Sequence, residues 1–530
     1  MATGGYDVVV VGGGVVGCAA ALEAARGPAA PFASQGLRRA PKVLLVEQHA
    51  LGHSFGSSHG RSRIIRKTYP SEFYTRLMPH AYASWEGVAA GAGVELGTML
   101  RQTGGIDLLP STSPLVELLT GACERHGLDV ERLDEAGALR RFGVQVPPDY
   151  CALFQRDSGV LDAAQCCAAL VRAGRASGVE VLEGHRASGL FAVAGGEVKQ
   201  LSRDCSSGAG DASEAGASAS LPPASAACGR RLLLRLAMSP TSPAAGAESA
   251  RERVVATDRV IACPGPWAAP CMRELLGMTR LPSISLQSIA VHFVKRLAGR
   301  EVGGADVGET AGAACAATPT CAGRGGMPVL IDYADWSGAA VGPGKVARSS
   351  GQTPATSVPT PVYMMESIEH PGMVKIACHV GYSVEGAAAL TDPAARDRGV
   401  PHRDFEDRVA PWLKARTPHL DSSRALHSDT CLYTNTCDED FIIDDVTSLV
   451  GGGAAAGALE PGSVVLACGM SGHGFKLAPL SGRIAAAVAL SGERGLGSDA
   501  RELLSMTATR SEALEPAAGP TFGLRRRLDP

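Results

Sequence analysis

The run Asp7-Val8-Val9-Val10-Val11 carries no polar alternation, which is the pattern of a parallel strand buried on both faces. Gly12 to Gly17 follow at once, and then an Ala-rich helical stretch through Ala25. A second apolar run, Lys42 to Val46, predicts another buried strand that ends in the acidic Glu47. Near the other end, Ser463 to Cys468 predicts a strand that enters a second glycine-rich turn, Gly469-Met470-Ser471-Gly472-His473-Gly474-Phe475-Lys476, followed by a helix over Ser481 to Leu490. Between these ends, Ser283 to Gln287 and Met373 to His379 alternate with period two, the pattern of a sheet with one wet face.

These patterned segments are separated by stretches rich in Ala, Gly, Ser, Pro and Thr, chiefly 203–250, 300–326 and 337–360, with shorter ones at 27–41 and 451–459. Such stretches bury too little apolar surface to offset their ordering entropy, so they are expected to be solvated insertions. They account for much of the 65 glycines, and the folded part is expected to be shorter than the 530 residues. With 45% hydrophobic and 19% charged residues, the chain is neither wholly disordered nor a polytopic membrane protein. Lys+Arg is 50 against Asp+Glu 53, a net charge of -3, which provides no global pull toward nucleic acid or an anionic membrane. A small-molecule partner is expected instead. The 15 cysteines form no Cys-x-x-Cys pair, so no zinc site or complete disulfide framework is expected. The first residues show no basic segment ahead of an apolar one, so no secretory signal is expected.

Gly12, Gly14 and Gly17 form a Gly-x-Gly-x-x-Gly turn between strand and helix. Those glycines permit a tight turn, close approach of backbone to a pyrophosphate and close helix packing, and the phosphates sit on the helix N-terminus. Glu47 stands at the next strand's end, where an acid binds the ribose hydroxyls. It lies 30 positions after Gly17 rather than the usual separation of about 20, and the insertion 27–41 accounts for the excess. Dinucleotide binding is the expected function of this end, with simple strand capping as the other reading of Glu47. The second glycine-rich turn lies beyond the carboxyl end of its strand, where ligands of open α/β sheets bind, so Gly472, His473, Gly474 and Phe475 should also face the cofactor. Lys476 would add a full cation beside a helix start. A merely solvated lysine is disfavoured there, because it would oppose the helix dipole. Cys431 sits in a β-branched and aromatic run where a buried filler is the ordinary reading. Lys375 and His379 fall on one strand face, which by itself fits solvent exposure.

Three segments in order, Gly56 to Tyr69, Cys431 to Thr436 and Ser471 to Lys476, resemble the monomeric sarcosine oxidase family of flavoproteins. Within it, Ser57 to Tyr69 and Phe475 to Pro479 are most similar to the eukaryotic peroxisomal sarcosine/L-pipecolate oxidases. The resemblance runs from Tyr6 to about Leu490. It implies FAD held covalently through Cys431, and a substrate carboxylate gripped by Arg66 and Lys476. It further implies O2 activation by Lys375, a substrate-site role for His379, and places near the flavin for His59 and Arg63, with Tyr363, Tyr433 and Thr434 as further pocket residues. A guanidinium fork suits a carboxylate, and two cations would lower the pKa of a bound amine toward its oxidisable neutral form.

The run Ala262-Cys263-Pro264-Gly265-Pro266-Trp267 departs from the family's Ala-Gly-Pro-Trp motif by extra residues. The final tripeptide, Leu528-Asp529-Pro530, is not an SKL-like peroxisomal address, so the peroxisome is expected from the resemblance alone, with the cytoplasm as the alternative. The expected fold class is α/β (α+β overall): a Rossmann-like FAD-binding domain from 1–95, 151–285 and 437–530, interleaved with a mixed-sheet substrate domain from 96–150 and 286–436. The expected reaction is oxidation of a small secondary amino acid, sarcosine or L-pipecolate, to an imine with O2 reduced to H2O2, by a protein that the family name makes a monomer. The rival readings are a flavin dehydrogenase with another electron acceptor, and a non-catalytic dinucleotide-binding protein. The latter would require none of Cys431, Arg66, Lys375 or Lys476.

Overall fold

The computed structural model describes residues 3–27, 40–194, 197–202, 230–239, 252–279, 281–297, 327–334, 361–384, 400–437, 439–453 and 459–491. Five parallel strands form the heart of a nine-stranded sheet, in the order Glu180–Leu182, Val43–Val46, Thr3–Val11, Arg253–Ala262, Val464–Cys468. Val8, Val9 and Val10 are fully buried, as an unbroken β-branched run between two covered faces requires. The helices Val15–Arg26, Glu72–Ala92, Ala163–Ala176 and Ala478–Ser491 cover one face. The two expected helices following glycine-rich turns are therefore present, and they pack against each other.

The same sheet continues through antiparallel strands Leu232–Met238, His185–Ala194 and Glu197–Gln200. The first of these corrects the expectation that 203–250 is a single solvated insertion. Leu232, Leu233, Leu234 and Leu236 are buried against both neighbours, and only 203–229 and 240–250 lie outside the described residues. The expected insertions 300–326 and 337–360 lie outside the described residues altogether.

A second sheet runs Tyr382–Ser383, Ile284–Lys295, Met373–Cys378, Val362–Glu366, Val329–Asp332, Gly105–Pro110, Tyr150–Gln155, Glu131–Leu133. His427–Thr436 pairs along the long strand Ile284–Lys295, so that Cys431 stands opposite Ile289. The sheet is mixed: Val329–Asp332 is parallel to Gly105–Pro110 and the other pairings are antiparallel. Strand Tyr150–Gln155, grouped above partly with the cofactor-binding half, pairs here because its alternate side chains pack with Gly105–Pro110. On strand Met373–Cys378 the face that period two marks as wet is not in bulk water. Lys375 and Ala377 are buried: Lys375, with His379 beyond it, lines a cavity and Ala377 packs with Ile289 and Val291, while Val374, Ile376 and Cys378 join the apolar core on the other side. A small third sheet, Ser62–Ile65 with Gly159–Asp162 and Leu100–Gln102, holds the basic segment between the two larger ones.

Candidate active site

A continuous cavity of about 2400 Å³ lies where the carboxyl ends of the parallel strands meet the second sheet. That exceeds the usual 300–1,000 Å³ of a small-ligand site and has room for a dinucleotide with a substrate beside it. All the expected site residues line it: Gly12, Gly14, Gly17, Glu47, His59, Arg63, Arg66, Tyr363, Lys375, His379, Cys431, Gly472, His473, Gly474, Phe475 and Lys476.

The nucleotide end fits FAD through its backbone. Gly12 has φ +105, and a Cβ there would stand 2.3 Å from the carbonyl oxygen of Cys263. At Gly17 a Cβ would meet the Gly12 carbonyl oxygen at 1.8 Å. Neither position accepts a side chain, so the turn stays thin where the helix Val15–Arg26 begins and where phosphates can approach its N-terminus. The Cys263 turn, with its extra residues, is the wall against which Gly12 packs, and Trp267 also lines the cavity. Glu47 is buried and accepts the backbone N–H of Gly13 at 2.6 Å and of His49 at 2.8 Å, and a carboxylate so held keeps acceptor capacity for a ligand hydroxyl. Burial raises its pKa, against the pull of those N–H groups.

At the opposite end, two cations flank one tyrosine. Lys476 donates from Nζ to the Tyr69 hydroxyl at 2.8 Å, and the Arg66 guanidinium lies 4.5 Å from the centre of the Tyr69 ring. Arg66 is held by Asp107 Oδ1 at 3.0 Å and the Tyr333 hydroxyl at 2.5 Å, yet its buried Nε has no partner among the described residues. Lys476 differs: among the described residues its Nζ contacts are the Tyr69 hydroxyl and the His473 carbonyl, with no carboxylate in ion-pair range. Burial, reinforced by Arg66, pushes its pKa well below the ordinary lysine value. Burial and the same two cations hold His379 down to about 4, and burial with Lys476 takes His473 to about 3, so both imidazoles are neutral at pH 7. Tyr363 and Tyr433 stand 3.4 Å apart, hydroxyl to hydroxyl, and the His379 ring lies 5.4 Å from that of Tyr433.

Between the two ends sits Cys431. Burial pushes its thiol up, but His59, Arg63 and Lys375 together bring it down to about 7. Arg63 is fixed by three carbonyls, those of Ser57, His59 and Ser62 at 2.9, 2.6 and 3.0 Å, and lies 5.5 Å from the Phe475 ring. Lys375 is buried, 2.9 Å from Glu369 and 3.3 Å from the Ser62 carbonyl. Gly472, at φ +74, has no room for a Cβ, which would meet the Tyr433 ring at 2.4 Å.

Sequence reasoning did not single out Asp107, Tyr333 or Glu369. Asp107 left a signal, an acid inside the apolar run Gly-Ile-Asp-Leu-Leu-Pro. Glu369 lies in a polar turn and left none.

The sequence pattern of the family described as FAD dependent oxidoreductase matches residues 7–223 and 239–488. The chain belongs to that family. It is 26% identical over 482 residues to the peroxisomal sarcosine oxidase of Mus musculus, covering 90% of each chain. Over a shorter stretch of 163 residues, 29% of this chain and 38% of the other, it is 34% identical to N-methyl-L-tryptophan oxidase of Citrobacter koseri. The fold is similar to that of NikD, an amino acid oxidase of nikkomycin biosynthesis, with TM-score 0.59 and 19% identity over 92% of this chain and 95% of that one. The protein is thus an FAD-dependent oxidoreductase whose relatives act on amine donors, and the expectations of a sarcosine oxidase-like flavoprotein and of an α/β fold are met. No described helix is long and apolar enough to cross a membrane.

Proposed function

We propose that this FAD dependent oxidoreductase family member oxidises a small secondary amino acid, sarcosine or L-pipecolate, to its imine and returns the electrons to O2. The observation that carries the reading is Lys476: a buried amino group next to Arg66, with no carboxylate in ion-pair range among the described residues, is a ready site for a substrate carboxylate, which would favour its charged form. Bound FAD supplies the acceptor for the two electrons that leave the amine.

The residues would act as follows. Arg66 and Lys476 bind the carboxylate and, as cations, disfavour a protonated amine on the same substrate. His379, neutral and facing the same pocket, presents a ring nitrogen to the amine, while Tyr363 and Tyr433 close the space around it. Two electrons and two protons leave the C–N unit. Sarcosine then yields glycine and formaldehyde after hydrolysis, and L-pipecolate yields a cyclic imine. O2 takes up two electrons and two protons to give H2O2, with Lys375 as the fixed charge that favours a developing anion. Cys431 would bear the covalent link to FAD, for which its thiolate-favouring surroundings are suited. Resemblance to the monomeric sarcosine oxidase family favours a monomer as the working unit. The peroxisome is the compartment that resemblance to the mouse enzyme favours over the cytoplasm.

The test is anaerobic addition of sarcosine or L-pipecolate to purified protein, followed by air and a peroxide assay. Bleaching of the flavin by one of them and stoichiometric H2O2 on aeration are expected. Bleaching without peroxide, with reduction of an added dye, would instead make the protein a dehydrogenase. No bleaching by any secondary amino acid would overturn the proposal.

A further inference from the structure

Glu369 lies in the turn between strands Val362–Glu366 and Met373–Cys378, six residues before Lys375. Its side chain is largely buried and collects a dense set of donors. Oε1 accepts the backbone N–H of Arg61 at 2.8 Å and of Ser62 at 2.9 Å, and the Lys375 ammonium at 2.9 Å. Oε2 accepts the Ser62 hydroxyl and, at 3.2 Å, the Ser367 hydroxyl. One carboxylate therefore ties the basic loop that carries His59 and Arg63 to the lysine on the facing strand.

Lys375 needs such a partner. Its neighbours across the sheet are Phe293 and Met365, which offer no charge, and its Nζ lies 5.6 Å from the centre of the Phe293 ring. His370 and His427 pack on that ring, at 4.6 and 5.5 Å between centres. From the loop it faces Arg63, a second cation, and His59 lines the same cavity. From strand His427–Thr436 it faces Cys431, and Tyr363 lies two positions along the neighbouring strand. Burial and Arg63 both disfavour the ammonium, while Glu369 opposes them; the net effect is a lysine pKa below the ordinary value. Glu369 itself stays ionised, because Lys375 and the Ser62 donors outweigh its burial.

We propose that Glu369 is a positioning residue for the oxidative half of the reaction: it fixes the Lys375 ammonium against the flavin-side loop and sustains its charge in a buried site. This rests on the reading of Lys375 given above. Removing the negative charge while keeping the acceptor oxygen, as in Glu369→Gln, leaves burial and Arg63 opposed only by the weaker influence of Cys431. The ammonium should then lose its proton at a lower pH, by about 1–3 units for an opposite charge at this range.

The experiment follows reoxidation of the reduced holoenzyme by O2 across pH 6 to 10 in the stopped flow. In Glu369→Gln the alkaline fall in reoxidation rate should begin about 1–3 pH units earlier than in the wild type, while anaerobic reduction by substrate stays within about twofold. Glu369→Asp, which keeps the charge, should recover most of the profile. In a Lys375→Arg background, where the cation does not titrate, Glu369→Gln should produce no shift. An unshifted profile, or equal slowing of both half-reactions, would overturn the inference. If Glu369→Gln does not retain flavin, Ser62→Ala is the substitute: it takes a donor from Oε2, leaves the Lys375 contact and should leave the profile in place, so a shift as large as expected for loss of the charge would count against Glu369. Failure of the parent reading is distinguishable, because Lys375→Met would then leave reoxidation unchanged.

Discussion

Lys476 concentrates the electrostatics of the site in one side chain. Its buried cation has no carboxylate partner among the described residues, and desolvation that no ion pair repays costs stability. Lys476→Met should therefore leave the melting temperature of the substrate-free protein unchanged or raise it, while KM for the amino acid rises by about 10- to 150-fold, the equivalent of about 1.5–3 kcal/mol for a charged hydrogen bond. A melting temperature that falls with KM unchanged would assign Lys476 a structural role. The pH sign follows from its depressed pKa. Between the folded and unfolded pKa values the unfolded chain binds more protons, so this group's penalty shrinks as pH rises. Carboxylate binding moves the opposite way, and KM should climb as pH passes upward through the folded pKa. Cys431 makes a second residue-scale case. At about 7 it is half thiolate near neutrality, so covalent uptake of FAD by the apo-protein, followed by acid precipitation and absorbance, should quicken as pH rises through that value. His59→Asn should move the midpoint upward. A rate independent of pH would remove the thiolate from the linkage.

At the scale of elements, the two glycine-rich turns do different work. Gly12 and Gly17 are squeezed by backbone, with no flexible side chain to yield, whereas Gly472 is squeezed by the Tyr433 and His379 rings. Gly17→Ala should accordingly lose FAD binding outright, read as colourless protein. Gly472→Ala should keep FAD but push Tyr433 and His379, lowering kcat/KM by more than about tenfold, the kinetic equivalent of about 1.4 kcal/mol. Retention of full FAD by Gly17→Ala would show that the first turn yields. The first turn was legible because strand, glycines, helix and Glu47 follow one another in sequence, and backbone geometry depends on that local order. Strand Leu232–Met238 was not. It is embedded in Ala, Ser and Pro, and averaging over the stretch hid four buried leucines. The wet face of strand Met373–Cys378 was misplaced for a related reason: period two tells a polar face from an apolar one, but an internal cavity and bulk water look alike to it. Glu369 was invisible because its value comes from the Arg61 and Ser62 loop and from Lys375, which meet it only after folding.

For the whole molecule, the cavity draws its walls from both large sheets, with Gly12 and Cys468 on one side and Lys375 and Cys431 on the other. Whatever fills it ties the two sheets together, so cofactor binding is also folding energy. At free FAD a hundred times its Kd the gain is about 2.7 kcal/mol, which should appear as an upward shift of the melting temperature by several degrees. A covalent link through Cys431 changes how that gain responds to dilution. Wild-type protein should hold its raised melting temperature through exhaustive dialysis, whereas Cys431→Ser, loaded with FAD to the same occupancy, should sink to the apo value as the cofactor leaves. Parallel loss in both would dissociate Cys431 from retention and leave the fit of the cavity as the only hold on FAD. No rise in melting temperature on loading either protein would mean that the cavity between the sheets is not where FAD binds.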